Sequence, residues 1–247
     1  MVRREFPSVR LTASSRNLGF SRANNLAIAA GGAPYVLALN PDTRLEPLTL
    51  DTLVELMERD PRIAVSGPAL RQADGTLDHA GRRAFPTPVS ALGHFLRVGR
   101  KLDSGPLAAY RAPSVQSGPV DAVNGAFMLM RRTAFMEVGG FDEGYWMYME
   151  DLDLCYRLAQ AGWLTWYEPS VETLHVKAGS SGRSRPWRLN YAFHYGMLRF
   201  YRKHYAASRP WALNFAVYAG IALKLLVSTV RSTLTRLAGS LSRRRSP

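Results

Sequence analysis

The order of apolar runs and helical stretches predicts an α/β fold, a mostly parallel sheet flanked by helices and followed by a helical, basic C-terminal region. Three observations carry this. Tyr35–Leu39 (YVLAL) is short, continuous and apolar, the pattern of a central strand covered on both faces. Residues 48–60 follow with Leu50, Leu53, Val54 and Met57 at helical spacing. Residues 63–68 are the next apolar run, so strand, helix and strand alternate, as they do in a parallel sheet.

The elements follow in order. Residues 9–13 alternate and predict a strand. Asn17-Leu18-Gly19-Phe20 reads as a turn, Ser21 as the N-cap of a helix over 22–30, and Gly31-Gly32 as its end. Asn40-Pro41-Asp42 stops the YVLAL strand. Residues 71–117, rich in Gly, Pro, Arg and Ser, predict a long excursion over the sheet with a mobile segment near 92–114. Residues 120–130 are strand-like but interrupted by Asn124-Gly125. A short helix over 132–138 precedes Gly139-Gly140-Phe141-Asp142. The helix over 150–161 carries Glu150, Asp151 and Asp153 in its first turn and Arg157 later, and Gly162 closes it. Residues 163–168 and 171–175 predict strands, and helices dominate after Pro186. There is no internal repeat.

A chain of 247 residues holds one substantial α/β domain and an appendage, here divided at 1–182 and 183–247. The single cysteine, Cys155, excludes an internal disulfide and a Cys-rich metal site. Residues 1–7 are charged and lack the apolar core of a signal peptide. Charge is unevenly placed: 14 of the 32 basic residues and none of the 19 acids lie from Thr173 onward. A basic tail of this kind suits a polyanionic surface. Nucleic acid is set aside, because no basic–aromatic motif lies on the body and the tail is also apolar. Residues 211–230 are nearly continuously apolar, broken by Asn214 and Lys224 and flanked by Arg209 and Arg231. The length just spans a bilayer. Lys224 and the Trp, Tyr and Arg flanks favour a helix lying on an anionic membrane surface over a true span. A helix packed on the body is the other reading, and it leaves the acid-free tail without a reason.

Three places carry chemistry. Asp42 stands where a buried strand ends, the usual ligand edge of an open α/β sheet, and can hold a divalent cation; Asn-Pro-Asp is also good turn chemistry. Tyr148-Met149-Glu150-Asp151-Leu152-Asp153-Leu154 places acids beside the aromatic approach Tyr145-Trp146-Met147-Tyr148. A carboxylate there can deprotonate a hydroxyl of a sugar held on an aromatic face, or simply complement a helix dipole. His175 ends a strand before the Gly/Ser-rich loop 179–182, as a metal ligand beside a phosphate-holding loop would, or as an ordinary core histidine. His79, His94, His194 and His204 have no comparable setting.

Taken in order, these stretches resemble the family 2 glycosyltransferases of GT-A fold, in the rhamnosyltransferase-like branch that builds bacterial cell-wall and surface polysaccharides. The matching stretches are Asn17-Leu18-Gly19-Phe20 through Asn24-Asn25, Leu39-Asn40-Pro41-Asp42, Gly67-Pro68 with Asp74-Gly75, VDAVNGAFMLMRRTAF over 120–135, Gly139-Gly140-Phe141-Asp142-Glu143, the Met147 to Leu154 run, and His175 with its loop. The resemblance covers roughly residues 9–182. It implies an inverting transfer from a nucleoside-diphosphate sugar, rhamnose being the branch's usual sugar, to a glycan or lipid-linked glycan acceptor at the cytoplasmic face of the bacterial inner membrane. It implies Asp42 and His175 as ligands of a divalent metal, Mg2+ or Mn2+, with Asn40 replacing the first acid of the metal motif. Asp151 matches the general base. Glu150, Asn124, Gly125 and Trp146 resemble the acceptor pocket, and Asn17, Gly19, Asn24, Asn40 and Asp42 the nucleotide-sugar site.

Family members begin with a strand–helix–strand unit that floors the nucleotide-base pocket, and this chain opens about where their third strand starts. The expectation is therefore a chain holding the metal and acceptor half, poorly stable alone or catalytically crippled. A non-catalytic remnant or membrane-associated scaffold is the alternative function.

Overall fold

The computed structural model describes residues 1–86, 116–176 and 186–243, with side chains through 235. The predicted excursion near 92–114 and the Gly/Ser loop 179–182 lie outside the described residues. A single helical turn, α1 (Val2–Glu5), precedes α2 (Phe20–Ala29), β1 (Tyr35–Leu39), β2 (Thr43–Leu45), α3 (Thr49–Arg59) and β3 (Ile63–Arg71). Then come β4 (Arg82–Arg83), β5 (Gly118–Val120), β6 (Ala122–Val123), β7 (Phe127–Arg131), α4 (Arg132–Glu137), α5 (Glu150–Gln160) and β8 (Leu164–His175). Two long helices, α6 (Trp187–His204) and α7 (Trp211–Arg243), complete the chain, joined by a 3-10 turn at Ala206–Ser208.

The main sheet has the order β1-β7-β3-β8-β2, with β5 added on β8, and β4 pairs with β6 in a small second sheet. β3 and β8 are parallel, whereas β7 is antiparallel to both β1 and β3, and β2 and β5 are antiparallel to β8. The sheet is thus mixed rather than mostly parallel. β1, β3 and β8 do share one direction, as the strand–helix–strand order required. The antiparallel β7 enters between β1 and β3, and its arrival from residues far along the chain leaves no local pattern.

β7 shows why the sheet is buried on both sides. Successive side chains alternate faces: Phe127 and Leu129 join Leu53, Met57, Ile63 and Leu70 under α3, while Met128 and Met130 join Ile28, Phe135, Phe141, Leu152, Leu158 and Phe200 on the opposite face. The two strands expected over 163–168 and 171–175 form one strand, β8, whose pairing with β3 shifts register between Pro68 and Ala69. No strand forms over 9–13. Those side chains are exposed, and alternation alone does not make a strand without a partner to complete its backbone hydrogen bonds. β2 and β4 were not legible: each is two or three residues long and exists through its partner.

Helix α6 belongs to the packing of the body. Phe200 is buried in the core, and the basic side chains Arg199, Lys203 and His204 reach the acids Asp142 and Asp153.

Candidate active site

The turn after β1 is closed by its own backbone. Asn40 N donates to Ala126 O at 3.0 Å, and Asn40 O accepts from Thr43 N at 3.3 Å and Thr43 Oγ1 at 2.6 Å. Asp42 lies inside this turn. β2 then pairs with β8 in the register Thr43↔His175, and Val176 N donates to Asp42 O at 2.9 Å, so the end of β8 is brought to the Asp42 turn. His175 Nε2 lies 3.5 Å from Asp42 Oδ1. On the other side of the ring, Nδ1 lies 3.8 Å from Oδ2 of buried Asp78. The imidazole sits between two carboxylates that are 36 residues apart in the chain.

Asp78 was not singled out by sequence reasoning. It sits in a turn of its own making: its Oδ1 accepts from Ala80 N and its O from Gly81 N. An Asp followed two residues later by a backbone amide it can cap is the only signal it offers, and that signal says turn, not site.

The second centre is the start of α5. Its approach is strained: Tyr148 and Met149 have φ of 72° and 71°, a left-handed backbone that non-glycine residues rarely adopt and that clusters at functional sites. The strain delivers Glu150 and Asp151 into the interior, both nearly fully buried. Asp151 Oδ1 accepts from Leu152 N at 2.8 Å; Oδ2 accepts from Gly125 N at 2.9 Å and from the Arg83 guanidinium. Arg83 also donates to Val123 O at 3.2 Å. Glu150 Oε2 is buried without a hydrogen-bond partner. Burial, and then the charge of Asp151, push the Glu150 carboxyl up to about 8. Neighbouring carboxylates in one buried site thus divide into a neutral acid and an arginine-paired carboxylate.

The turn Asn124–Gly125–Ala126 ties the two centres together. Ala126 O accepts from the Asp42 turn, Gly125 N donates to Asp151, and Asn124 reaches the Asp78 turn through N to Gly81 O at 3.0 Å and Nδ2 to Ala80 O at 3.1 Å. Gly125 packs closely there: a Cβ would sit 3.3 Å from Asp151 Oδ2 and 3.4 Å from the Phe20 ring, a tight fit against the carboxylate.

The remaining expected residues divide. Trp146 is half-buried, with Arg188 over its ring at 4.3 Å, and its Nε1 is buried without a partner. Gly19 presses against it; Phe20 N donates to Trp146 O at 2.9 Å. Gly19, expected on the donor side, and Trp146, expected on the acceptor side, are therefore in direct contact. Asn17 and Asn24 are used locally: Asn17 Oδ1 accepts from Gly19 N at 3.0 Å, and Asn24 Nδ2 donates to Phe20 O at 2.9 Å inside α2. Asn25, not a candidate, bridges α2 to Phe141 through both its N and its O, 116 residues away. Below the site, Asp153 is fully buried among Arg157, Lys203, His204 and the Tyr145 hydroxyl. Burial opposes its ionisation, yet hydrogen bonds from His204, Lys203 and Arg157 hold it below the usual carboxylate range.

Among the described residues no cluster of three or more His, Cys, Asp or Glu side chains is placed to hold a metal ion. Asp42 and His175 are nevertheless a compatible pair. Ligand atoms about 2.1 Å from one cation lie roughly 3.0–3.4 Å apart, close to the observed separation, and an outer carboxylate on the far ring nitrogen is the usual support of a metal-bound histidine.

Comparison with known proteins fits this architecture. The chain is 40% identical over 192 residues to the N-acetylglucosaminyl-diphospho-decaprenol L-rhamnosyltransferase of Mycobacterium tuberculosis, covering 72% of this chain and 62% of that protein. It is 32% identical over 189 residues to the rhamnosyltransferase WbbL of Escherichia coli, covering 72% of this chain and 69% of that protein. Two solved structures share the fold. The mannosyltransferase PcManGT of Pyrobaculum calidifontis, in complex with GDP-Man and Mn2+, covers 96% of this chain and 60% of its own at a TM-score of 0.50 and 14% identity. GalNAc-T7 with UDP, GalNAc and Mn2+ covers 76% of this chain and 35% of its own at 0.52 and 15%. With the model of Glycosyltransferase like family 2 matching residues 1–189, the chain belongs to that family and carries a GT-A-type fold.

Proposed function

We propose that the chain transfers a sugar, rhamnose by analogy with its relatives, from a nucleoside-diphosphate donor to a lipid-linked N-acetylglucosaminyl-diphosphate acceptor, with inversion at the anomeric carbon. The acceptor assignment comes from the name of the mycobacterial relative. The observation that carries the reading is the shared 124–126 turn, which holds a cation-compatible Asp42/His175 pair on one side and a buried carboxylate, Asp151, on the other. Inverting transfer needs those two functions on opposite sides of the reacting carbon.

In this scheme Asp42 and His175 would hold Mg2+ or Mn2+, which supplies electrostatic stabilisation of the departing diphosphate. Asp78 keeps the His175 ring oriented. Asp151 takes the proton from the acceptor hydroxyl as that oxygen attacks; its own hydrogen bonds from Gly125 and Leu152 aim the carboxylate. Glu150, neutral beside it, offers an O–H to the acceptor, and Trp146 with Asn124 and Gly125 walls the pocket. Gly19, Asn17, Asn24 and Asn40 shape the donor side through the backbone they brace. We place the reaction at the cytoplasmic face of a bacterial membrane, where a lipid-linked acceptor would be met, and divide the chain into a catalytic body and a C-terminal membrane-facing region.

The test is Asp151→Asn, assayed with a nucleoside-diphosphate rhamnose and a short-chain polyprenyl-diphosphate N-acetylglucosamine. Transfer should fall by about 10³-fold or more while donor affinity is kept. Unchanged turnover would remove Asp151 from the role.

A further inference from the structure

Helix α7 turns most of its polar residues toward the protein and most of its large apolar ones outward. Its half-buried side carries Asn214, Tyr218, Lys224, Ser228 and Thr229 together with Val217, Ile221 and Leu225, at the three-and-four spacing of one helical face. That side is turned to α6. Tyr201 Oη donates to Asn214 Oδ1 at 2.7 Å and its ring meets Tyr218 at 5.8 Å; further along, Asn190 Nδ2 donates to Ser228 Oγ at 2.9 Å and Thr229 Oγ1 at 3.0 Å. The outward side is apolar: Phe215 is 68% exposed, Leu226 60%, Val227 58%, Val230 50% and Leu234 61%. A helix on a water-soluble surface shows the reverse arrangement, and a continuous apolar face of this length marks an interaction surface.

We propose that α7 is an in-plane membrane helix, its outward apolar side buried in an anionic bilayer and its inner side clasped to α6. Two observations select this occupant. Residues Trp211–Thr235 are long and apolar enough to cross a membrane, and none of them is fully buried inside the protein. Every charged residue from Thr173 onward is basic, including Arg209 and Arg231 beside the apolar face, and basic residues are drawn to an anionic lipid surface.

The same seam decides between lying in the membrane and crossing it. α6 holds α7 from Asn214 to Thr229, and α6 is fixed to the catalytic body by buried Phe200 and by Arg199, Lys203 and His204 on Asp142 and Asp153. Crossing would pull α6 and its cations into hydrocarbon or break the seam. Lying flat breaks nothing, and it keeps Lys224 against the protein rather than in lipid.

Attachment is separate from chemistry at Asp151, so it can be read separately. The full chain should float with phosphatidylcholine vesicles containing phosphatidylglycerol, and weakly with phosphatidylcholine alone. Leu226→Glu with Val227→Glu should lower the vesicle-bound fraction by about tenfold or more while sparing transfer to a water-soluble acceptor analogue. Protein that ignores both vesicle types, or a double variant that still binds, overturns the proposal. Ser208→Cys and Ser240→Cys, placed before and after the apolar stretch, should both react with an impermeant maleimide in membrane vesicles with the cytoplasmic face outward. Protection of Ser240→Cys until detergent is added would show a spanning helix and overturn the in-plane arrangement.

Discussion

Arg83 donates through Nη2 to Oδ2 of Asp151, in a pair where both side chains are largely buried. The arginine comes from a two-residue strand and the aspartate from the first turn of α5, 68 residues later. A carboxylate buried without such a partner would be driven toward its neutral form, and a neutral carboxyl is no base. In the proposed scheme Arg83 is therefore a positioning residue for Asp151, acting through it rather than on the substrates. Arg83→Gln should lower kcat by about 10²-fold and leave donor KM within about twofold, with Arg83→Lys recovering part of the loss. Equal loss in the two variants, accompanied by a lower melting temperature, would make the pair merely structural.

Asp78 Oδ2 faces Nδ1 of His175 from the side away from Asp42 at 3.8 Å, longer than a hydrogen bond, and in the proposed scheme the two close to a hydrogen bond when a cation is held. Outer carboxylates of this kind typically contribute 10–100-fold in metal affinity. Asp78→Asn should weaken Mn2+ binding by about that factor, read by calorimetry or by the Mn2+ dependence of rate. Saturating Mn2+ should restore most of the activity. Unchanged affinity would remove Asp78 from the metal site.

Glu150 gives a pH dependence of stability whose sign follows from its raised carboxyl. In the folded chain it holds its proton up to about 8, whereas in the unfolded chain it loses it near 4.5. The folded state binds more protons between those values, so its contribution is full below pH 4.5 and is lost as pH rises toward 8. The slope is at most about 1.4 kcal/mol per pH unit. Glu150→Gln should flatten denaturant midpoints across this window and make the protein more stable than the parent at pH 8. A parent curve already flat there would contradict the assignment.

Gly19 has a φ of 78°, and a Cβ built on it would lie 2.3 Å from Trp146 O and 2.4 Å from Trp146 Cδ1. Neither the backbone nor a ring edge at that distance can yield cheaply. Gly19→Ala should cost about 3 kcal/mol or more and displace Trp146, visible as a changed tryptophan emission. Gly75, also at positive φ but with open space around it, is the control; Gly75→Ala should cost about 1 kcal/mol and leave the emission alone.

Local patterning determined much of this protein without help. Tyr35–Leu39 is a strand, as its composition announced, but it lies at the edge of the sheet and is only partly buried rather than central, because β7 enters between it and β3. The helices after Leu48, Arg131 and Met149 begin within a residue of where their periodicity placed them, because a helix is written in consecutive side chains. Asp42, Asp151 and His175 were legible as candidates for the same reason: each sits at the end of such an element. What only the tertiary structure decided are relations between distant residues. The antiparallel entry of β7, the approach of Asp78 to His175, the pairing of Arg83 with Asp151 and the contact of Gly19 with Trp146 all arise from backbone brought together across tens of residues. The basic, apolar tail was plain in the sequence. That most of its polar residues turn inward and a row of large apolar ones outward was fixed only by packing against α6, since one stripe of residues reads the same whichever neighbour it meets.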